Sequence, residues 1–431
     1  MRQLLIVSPN FPPVSAPDMH RVRMSLPYYA CCGWSPTVLA VGGVEGRVLE
    51  PALADMVPPD VSVTRVGALP LRLTRLAGVG NPALRAFGHL YHAGLRLIRT
   101  RAIDLVFFST TMFPALALGR LWKARTGVPF VVDMQDPWVN DYLDTHPEAR
   151  PKKYAWARRL HGRLEPFTMR AAGGVIAVSP AYHATLRRRY PWIDEDVCAT
   201  IPFGAAEEDM ERARRLDWSN PWFASGDGRI HAVYVGRGGR DLDTAATIVF
   251  RALGRLRQAG AAREVRVWCI GTDYAPAGEG RRTLRPIAER EGVGHLVTES
   301  PDRIPYLPAL RVLHDADLLV VLGSGDREYS PSKVYPYLLA RRPLASVLHE
   351  GSPAVRLLRE AGAGPVVTFR DAGDADAAAR TLASGLHELL GRPRGDVAFD
   401  PAFAEPWLAP ALTRQQCAVF DAVLERHGRG A

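Results

Sequence analysis

Residues 330–345 read SPSKVYPYLLARRPLA, and the rest of the chain takes its meaning from this stretch. Ser330 and Pro331 open a helix, because serine accepts from free first-turn amides and proline suits the first helical position. Lys333 stands on that first turn, and Pro336 follows about a turn and a half inside. A proline there is expected to remove the amide that would bond the Ser332 carbonyl and to crowd that carbonyl, at about 3 kcal/mol in an ordinary helix. A lysine near a helix start is also mildly disfavoured by the helix dipole, so a nearby anion would account for it. The preceding stretch, DLLVVLGSGDRE, is an apolar run ending in glycine, which places Lys333 beyond the carboxyl end of a strand.

Working outward, similar apolar runs alternate with helix-length segments along the whole chain. The first half carries LLIVS, TVLAV, DLVFFS, PFVVDM and GVIAVS; the second carries HAVYVG, VRVWCIG, HLVTES, DLLVVLG, PLASVL and PVVTF. Continuous apolar strands of this kind belong to parallel sheets covered on both faces. At 431 residues and 47% apolar content the chain exceeds one core and supplies two. The expected architecture is α/β, with two doubly wound Rossmann-like domains facing a central cleft. The boundaries read from the sequence are 1–205 for the first domain, 206–229 for a strandless linker, 230–400 for the second domain, and 401–431 for a terminal helix crossing back to the first.

Five scattered cysteines lack metal-ligand spacing and read as reduced thiols. The amino end has only four consecutive apolar residues before Ser8, too few for a secretory signal core, and no longer apolar run suits a membrane span. The expectation is a cytoplasmic protein. Residues 150–190 hold ten Lys and Arg against Glu165 alone, matching the net charge of +9 of the whole chain. Such a face draws anionic membrane or a charged acceptor, and it is also what a solvated helix looks like. No RNA-binding aromatic motif or zinc-finger spacing accompanies it, so nucleic acid is not an expected partner.

Chemistry is concentrated in four loops. YVGRGGRDLDTA ends a strand at Gly236 and offers Arg237 and Arg240 to an anion, with glycines that let a phosphate approach the backbone. Lys333 supplies a second cation. VVDMQDPW places Gln135, Asp136 and Trp138 at a strand end, where an amide, a carboxylate and an indole suit a hydroxyl-rich ligand. The first loop, SPNFPPVSAPDMHRVRM, brings His20, Arg21 and Arg23 to a helix start.

Taken together these stretches resemble the GT-B glycosyltransferases of family 4, retaining enzymes that use a nucleotide-sugar donor. FPPVSAPDMHRVR with GWSPTVLAV resembles the family's first loop, helix and second strand, and VVDMQDPW resembles its DxRDPW stretch. GGVIAVSPAYHATL is similar to the strand and helix before the hinge, YVGRGGRDLDTA to the donor-phosphate loop, and SPSKVYPYLLARRPLA to xxSKxYEYLAAGRPVL. The resemblance implies sugar transfer to an acceptor hydroxyl with retention, of the hexosyltransferase type, in which the leaving phosphate takes the acceptor proton. Arg237 and Lys333 would stabilise the diphosphate, each charge contact at 4 Å amounting to about 4 kcal/mol at an effective dielectric of 20. It implies Glu328 beside the donor sugar and Asp136 as a further catalytic group. The donor-side set is Gly236, Arg237, Arg240, Gly271, Ser330, Ser332, Lys333 and Tyr335; the acceptor-side set is His20, Arg21, Gln135 and Trp138. The partners implied are a nucleotide sugar and a hydroxyl-bearing glycan, lipid or small molecule, with no cofactor and no metal.

Three departures stand out. Pro336 occupies the place of the family's second glutamate, eight positions after Glu328, so ribose recognition falls to Tyr335, Tyr337 or the Ser332 carbonyl. Gln135 stands where relatives have a histidine, and Ser15-Ala16-Pro17 where they have a Gly-Gly pair. A nucleotide-sugar epimerase and a non-catalytic sugar-nucleotide-binding protein remain alternatives of the same fold.

Overall fold

The computed structural model describes residues 1–43, 47–76, 78–139, 154–260, 265–275, 278–326, 332–391, 397 and 401–429. Two compact units result: Met1–Phe203 with the segment from Ala409 onward, and Gly204–Leu408.

The first unit is a parallel sheet of seven strands among the described residues. These are β1 (Arg2–Val7), β2 (Trp34–Val41), β3 (Ser62–Val66), β4 (Leu105–Ser109), β5 (Phe130–Met134), β6 (Gly174–Ala177) and β7 (Cys198–Thr200). Their order across the sheet is β3-β2-β1-β4-β5-β6-β7. Side chains alternate between two buried faces, as a strand's period of two requires. Leu5, Val7, Val106 and Phe108 pack against the helices Pro82–Thr100 and Ala117–Thr126 through Leu90, Leu97 and Trp122. Leu4, Ile6 and Phe107 pack on the other face against Val22, Leu412 and Phe420.

Phe420 belongs to the terminal helix Ala409–Arg429, which is fixed to the first unit by more than apolar contact. Its Gln416 accepts from the Tyr29 hydroxyl at 2.8 Å and donates to Ser25 Oγ at 3.0 Å.

The second unit repeats the plan with β8 (Ile230–Val235), β9 (Val265–Ile270), β10 (Val297–Ser300), β11 (Leu318–Leu322), β12 (Leu344–His349) and β13 (Val366–Phe369). The order is β10-β9-β8-β11-β12-β13, again all parallel. In both sheets the order reverses beside the first strand, between β1 and β4 and between β8 and β11, which is where such sheets open a crevice for ligands.

Two strands, β3 and β7, have no counterpart among the apolar runs. Both are sheet edges: SVTRV is only half-buried and CAT is three residues long, so neither shows an apolar run. The segment expected as a linker, 206–229, is part of the second unit. It contains the helix Glu207–Arg214, whose Asp209 accepts from the Tyr306 hydroxyl at 2.8 Å. With Met210 and Ala213 as its buried apolar residues, this helix reads as polar connection. Residues 401–408 also stay with the second unit rather than starting the terminal helix.

Candidate functional site

At the β8–β11 switch point the strand ladder runs only to Val233, leaving the last residues of β8 without β11 partners. Tyr337 fills the gap: its hydroxyl accepts from the Val235 amide at 2.7 Å and donates to the Val235 carbonyl at 2.9 Å. This pins the helix Val334–Leu339 to the end of β8 and sets Lys333, the residue before it, over the turn that follows.

That turn is shaped by close approach. Gly236 has φ +149, and a Cβ there would lie 2.3 Å from Lys333 Nζ, so only glycine leaves room for the ammonium. The ammonium donates to the Tyr234 hydroxyl at 2.6 Å and lies 4.2 Å from that ring's centroid; the hydroxyl donates in turn to the Arg237 carbonyl at 2.6 Å. Taken whole, the Lys333 side chain is half-buried, but its charged end is enclosed in the Gly236 notch. Burial first, then the Arg237 guanidinium, bring its pKa down to about 7, against a smaller opposing pull from Asp241.

Arg237 forks onto Asp241, with Nη1 and Nη2 donating at 2.7 and 2.6 Å. Burial alone would raise the Asp241 carboxyl, yet the hydrogen bonds and charge of Arg237, with Ser324, hold it below the usual range. Asp241 also ties the β11 loop, since its carbonyl accepts from the Gly325 amide at 2.7 Å. Arg240 is exposed on the short turn Arg240–Leu242. Gly271, with φ +71, follows β9 next to the Gly236 turn, where the Gly236 amide donates to the Ile270 carbonyl at 3.0 Å.

The structure thus brings Gly236, Arg237, Gly271 and Lys333 together and adds Asp241 and Tyr234, which were not singled out in the sequence, while Tyr337, a ribose candidate there, has its hydroxyl on the Val235 backbone. The four-residue spacing of Arg237 and Asp241 was the available signal. Ser332 is exposed beside them, and Glu328 and Ser330 lie outside the described residues. Tyr335 is a correction: it is buried, with its ring 5.6 Å from that of Trp407, because the helix turns this face into the core.

Pro336 is a second correction. The first helical bond runs from the Tyr337 amide to the Lys333 carbonyl, so Pro336 sits in the first turn of the helix, where an amide has no intrahelical partner to lose. The expected penalty and bend do not arise.

In the first unit, the acceptor-side expectations are corrected more heavily. Arg21 is 1% exposed and approaches the fully buried Asp133 at 2.8 Å; its fork donates to the carbonyls of Ile201 and Pro202 at 2.8 and 3.1 Å. The Arg21–Asp133 approach is a charge contact, since the Nε geometry is not that of a hydrogen bond. Gln135 is buried as well, within reach of Ser109, Asp133 and the Asp18 carbonyl at 3.0, 3.0 and 3.1 Å. Trp138 is buried and stacks on Phe113 at 5.6 Å, so its flat face is already covered. These polar and aromatic groups hold the loops around Asp18, whose carboxylate accepts from Asn10, Thr110 and the Thr111 amide.

His20 is half-buried, with Nδ1 3.3 Å from an Arg23 nitrogen. Asp136 is exposed by surface area at the end of β5, yet enough protein surrounds the carboxyl that desolvation, then the Asp18 charge, push it up to about 6. In the basic segment, Arg187 pairs with Glu195 at 3.0 Å and Arg189 with the buried Glu165 at 3.1 Å; Arg150, Lys152 and Lys153 lie outside the described residues. Among the described residues no group of three or more His, Cys, Asp or Glu could hold a metal ion.

The same two-sheet architecture recurs in solved structures. A glycosyltransferase from Rickettsia africae ESF-5 matches with TM-score 0.58 at 12% identity, over 98% of this chain and 99% of that one. Sucrose-phosphate synthase from Thermosynechococcus elongatus matches at 0.58 and 14%, over 100% and 98%. Anabaena Alr3699/HepE in complex with UDP-glucose matches at 0.53 and 15%, over 100% and 99%. The chain has the GT-B fold of glycosyltransferases. Within the first unit, residues 20–204 match the glycosyl transferase 4-like domain family. No curated protein matches the chain by sequence.

Proposed function

We propose that this chain transfers a sugar from a nucleotide-sugar donor to an acceptor hydroxyl with retention of anomeric configuration, and that the second unit's switch point holds the donor diphosphate. The observation that carries the reading is the Lys333 ammonium seated in the Gly236 notch beside the Arg237 fork. Fold alone does not define activity, so the weight rests on these side chains.

Within the cluster Asp241 neutralises Arg237, and Lys333 is near the midpoint of its titration at neutral pH. A diphosphate supplies the missing negative charge and draws Lys333 to its charged form. The Arg237–Asp241 pair is about 30% exposed on each side, at 29% and 32%, and a pair of that kind contributes only about 0.2–1 kcal/mol. Phosphate oxygens, which accept a bidentate fork, can therefore take Asp241's place.

During transfer, the sugar–phosphate bond breaks, the departing phosphate oxygen gains charge, and that oxygen receives the acceptor's proton as the new glycosidic bond forms on the same face. Lys333 and Arg237 stabilise the departing charge; electrostatic groups aimed at developing charge are typically the largest contribution in such a site. These cations serve where a metal otherwise would. Glu328 beside the sugar and Asp136 on the acceptor side belong to the same proposal. Because a solved GT-B structure holds UDP-glucose, uridine diphosphate sugars are the first donors to try.

The test is incubation of the purified chain with a panel of nucleotide sugars and simple glycosides, with anomeric configuration of the product read by NMR. Product retaining the donor's configuration supports the reading. Conversion of the donor without an acceptor would show an epimerase, and binding without turnover a carrier.

A further inference from the structure

We propose that the first unit carries a peripheral docking site for anionic phospholipid bilayer, built on the helix Pro82–Thr100 and the ledge beside it. Residues 61–103 contain seven arginines and no Asp or Glu. On the helix, Arg85, His89, His92, Arg96 and Arg99 recur at intervals of three and four, so they share one face. His89, His92, Arg96 and Arg99 are exposed.

Four of these residues border a cavity of about 600 Å³ whose walls are Val66, Leu69, Leu84 and Ala93. Among the described residues no acid lines it. Over its edge stands a ledge fixed to the helix: the Leu69 amide donates to the Arg85 carbonyl at 3.1 Å, and Arg85 Nε donates to the Leu69 carbonyl at 2.7 Å. Beyond it the short helix Leu71–Leu76 presents Leu73 between Arg72 and Arg75, all three exposed. Leu69 and Leu73 are 50% and 61% exposed, so two apolar side chains stand out among these arginines.

The combination selects the partner. Nucleic acid or a free phosphate answers the arginines but leaves two leucines and an apolar cavity without purpose. A bilayer answers both, with headgroup phosphates on the arginines and acyl chain against the leucines. Among the described residues no helix is long and apolar enough to cross a membrane, so the contact is peripheral. The basic segment 150–190 is the rival surface, but Arg187 and Arg189 there already have carboxylate partners.

The experiment is co-sedimentation of the full chain with vesicles of phosphatidylcholine, with and without phosphatidylserine, at low and high salt. We expect binding only to the phosphatidylserine vesicles, weakening as salt rises. Arg72→Glu and Arg75→Glu should each weaken it at least about five-fold, and Leu73→Glu should weaken it also at high salt, where charge contributes least. Arg188→Glu, on the rival segment, should change it less. Absence of vesicle binding at low salt overturns the proposal, as does binding that Arg188→Glu abolishes and Leu73→Glu spares. Saturable binding of inorganic phosphate by a chain that ignores vesicles would show a small-anion site instead. None of these outcomes depends on glycosyl transfer.

Discussion

The two switch points are built on the same topology and use arginine in opposite ways. In the first unit Arg21 is sealed against Asp133, with the pair 1% and 0% exposed and the fork committed to main-chain carbonyls. In the second, Arg237 faces Asp241 at the surface, and Lys333 crowds the same turn without an ion-pair partner of its own among the described contacts. The first arrangement is permanent, because separating a buried pair strands a charge in the interior. The second is exchangeable, because solvent and incoming anions compete for it. The lesson is that a cation at a switch point marks a ligand only when its partner can be replaced.

The contrast is broken most directly by Arg21→Ala. Leaving Asp133 buried and uncompensated should cost about 3–5 kcal/mol, read as an earlier denaturant transition of the first unit, with little change in nucleotide-sugar affinity of the folded fraction. An unchanged transition would mean that the pair is dispensable.

Lys333→Ala should do the reverse. Transfer should fall by about 10²- to 10³-fold, the loss found when one preorganised electrostatic donor is removed, while the denaturant midpoint holds or rises because a desolvated ammonium is gone. A fall in stability with activity intact would place Lys333 in the core's service instead.

pH sharpens the same point. Lys333 has a pKa brought down to about 7, and the proposed diphosphate would raise it. Affinity for a nucleotide sugar, whose diphosphate is ionised throughout, is therefore fully present below about pH 7 and declines above it, by up to about ten-fold per unit. Calorimetric titration across this range should show the decline in the wild type, with proton uptake on binding, and a flat profile in Lys333→Met.

Asp241→Asn should act more modestly. Removing the competing carboxylate frees the Arg237 fork and should tighten diphosphate binding by up to about five-fold, of the size of a partly exposed ion pair. Weaker binding would instead identify Asp241 as the group that orients Arg237. The smallest effect belongs to Pro336→Ala, which should shift stability by less than about 0.5 kcal/mol in a thermal melt, since the amide it restores has no helical partner.

The apolar runs named eleven of the strands because a buried parallel strand advertises itself by composition alone. They missed β3 and β7, where a sheet edge lets polar residues alternate or the strand stop after three residues. The loops of the candidate site were legible for a similar reason: Gly236 and Arg237 are neighbours in sequence, and the glycine is needed for local backbone shape. Asp241 was within sight four residues on, but an aspartate at a helix start reads as a cap until its partner is seen.

By itself, then, the sequence determined two parallel α/β sheets, a glycine turn bearing Arg237, and Lys333 on a second loop, because each is encoded in a run of contiguous residues. Only the tertiary structure decided which cations are spent. Arg21 and Arg237 look alike in sequence, each among other arginines near a helix start. One contacts the fully buried Asp133, 112 positions away, and the other the partly exposed Asp241, four positions away, so which pair is sealed and which is exchangeable follows from where the fold buries them. The same holds for Pro336: its place in the helix depends on where Tyr337 meets Val235, a contact between residues 102 apart. The terminal helix, too, found the first unit through Gln416 and Tyr29, which lie 387 positions apart. Local order is set by propensity and spacing, whereas the charge a site keeps is set by which distant group the fold places against it.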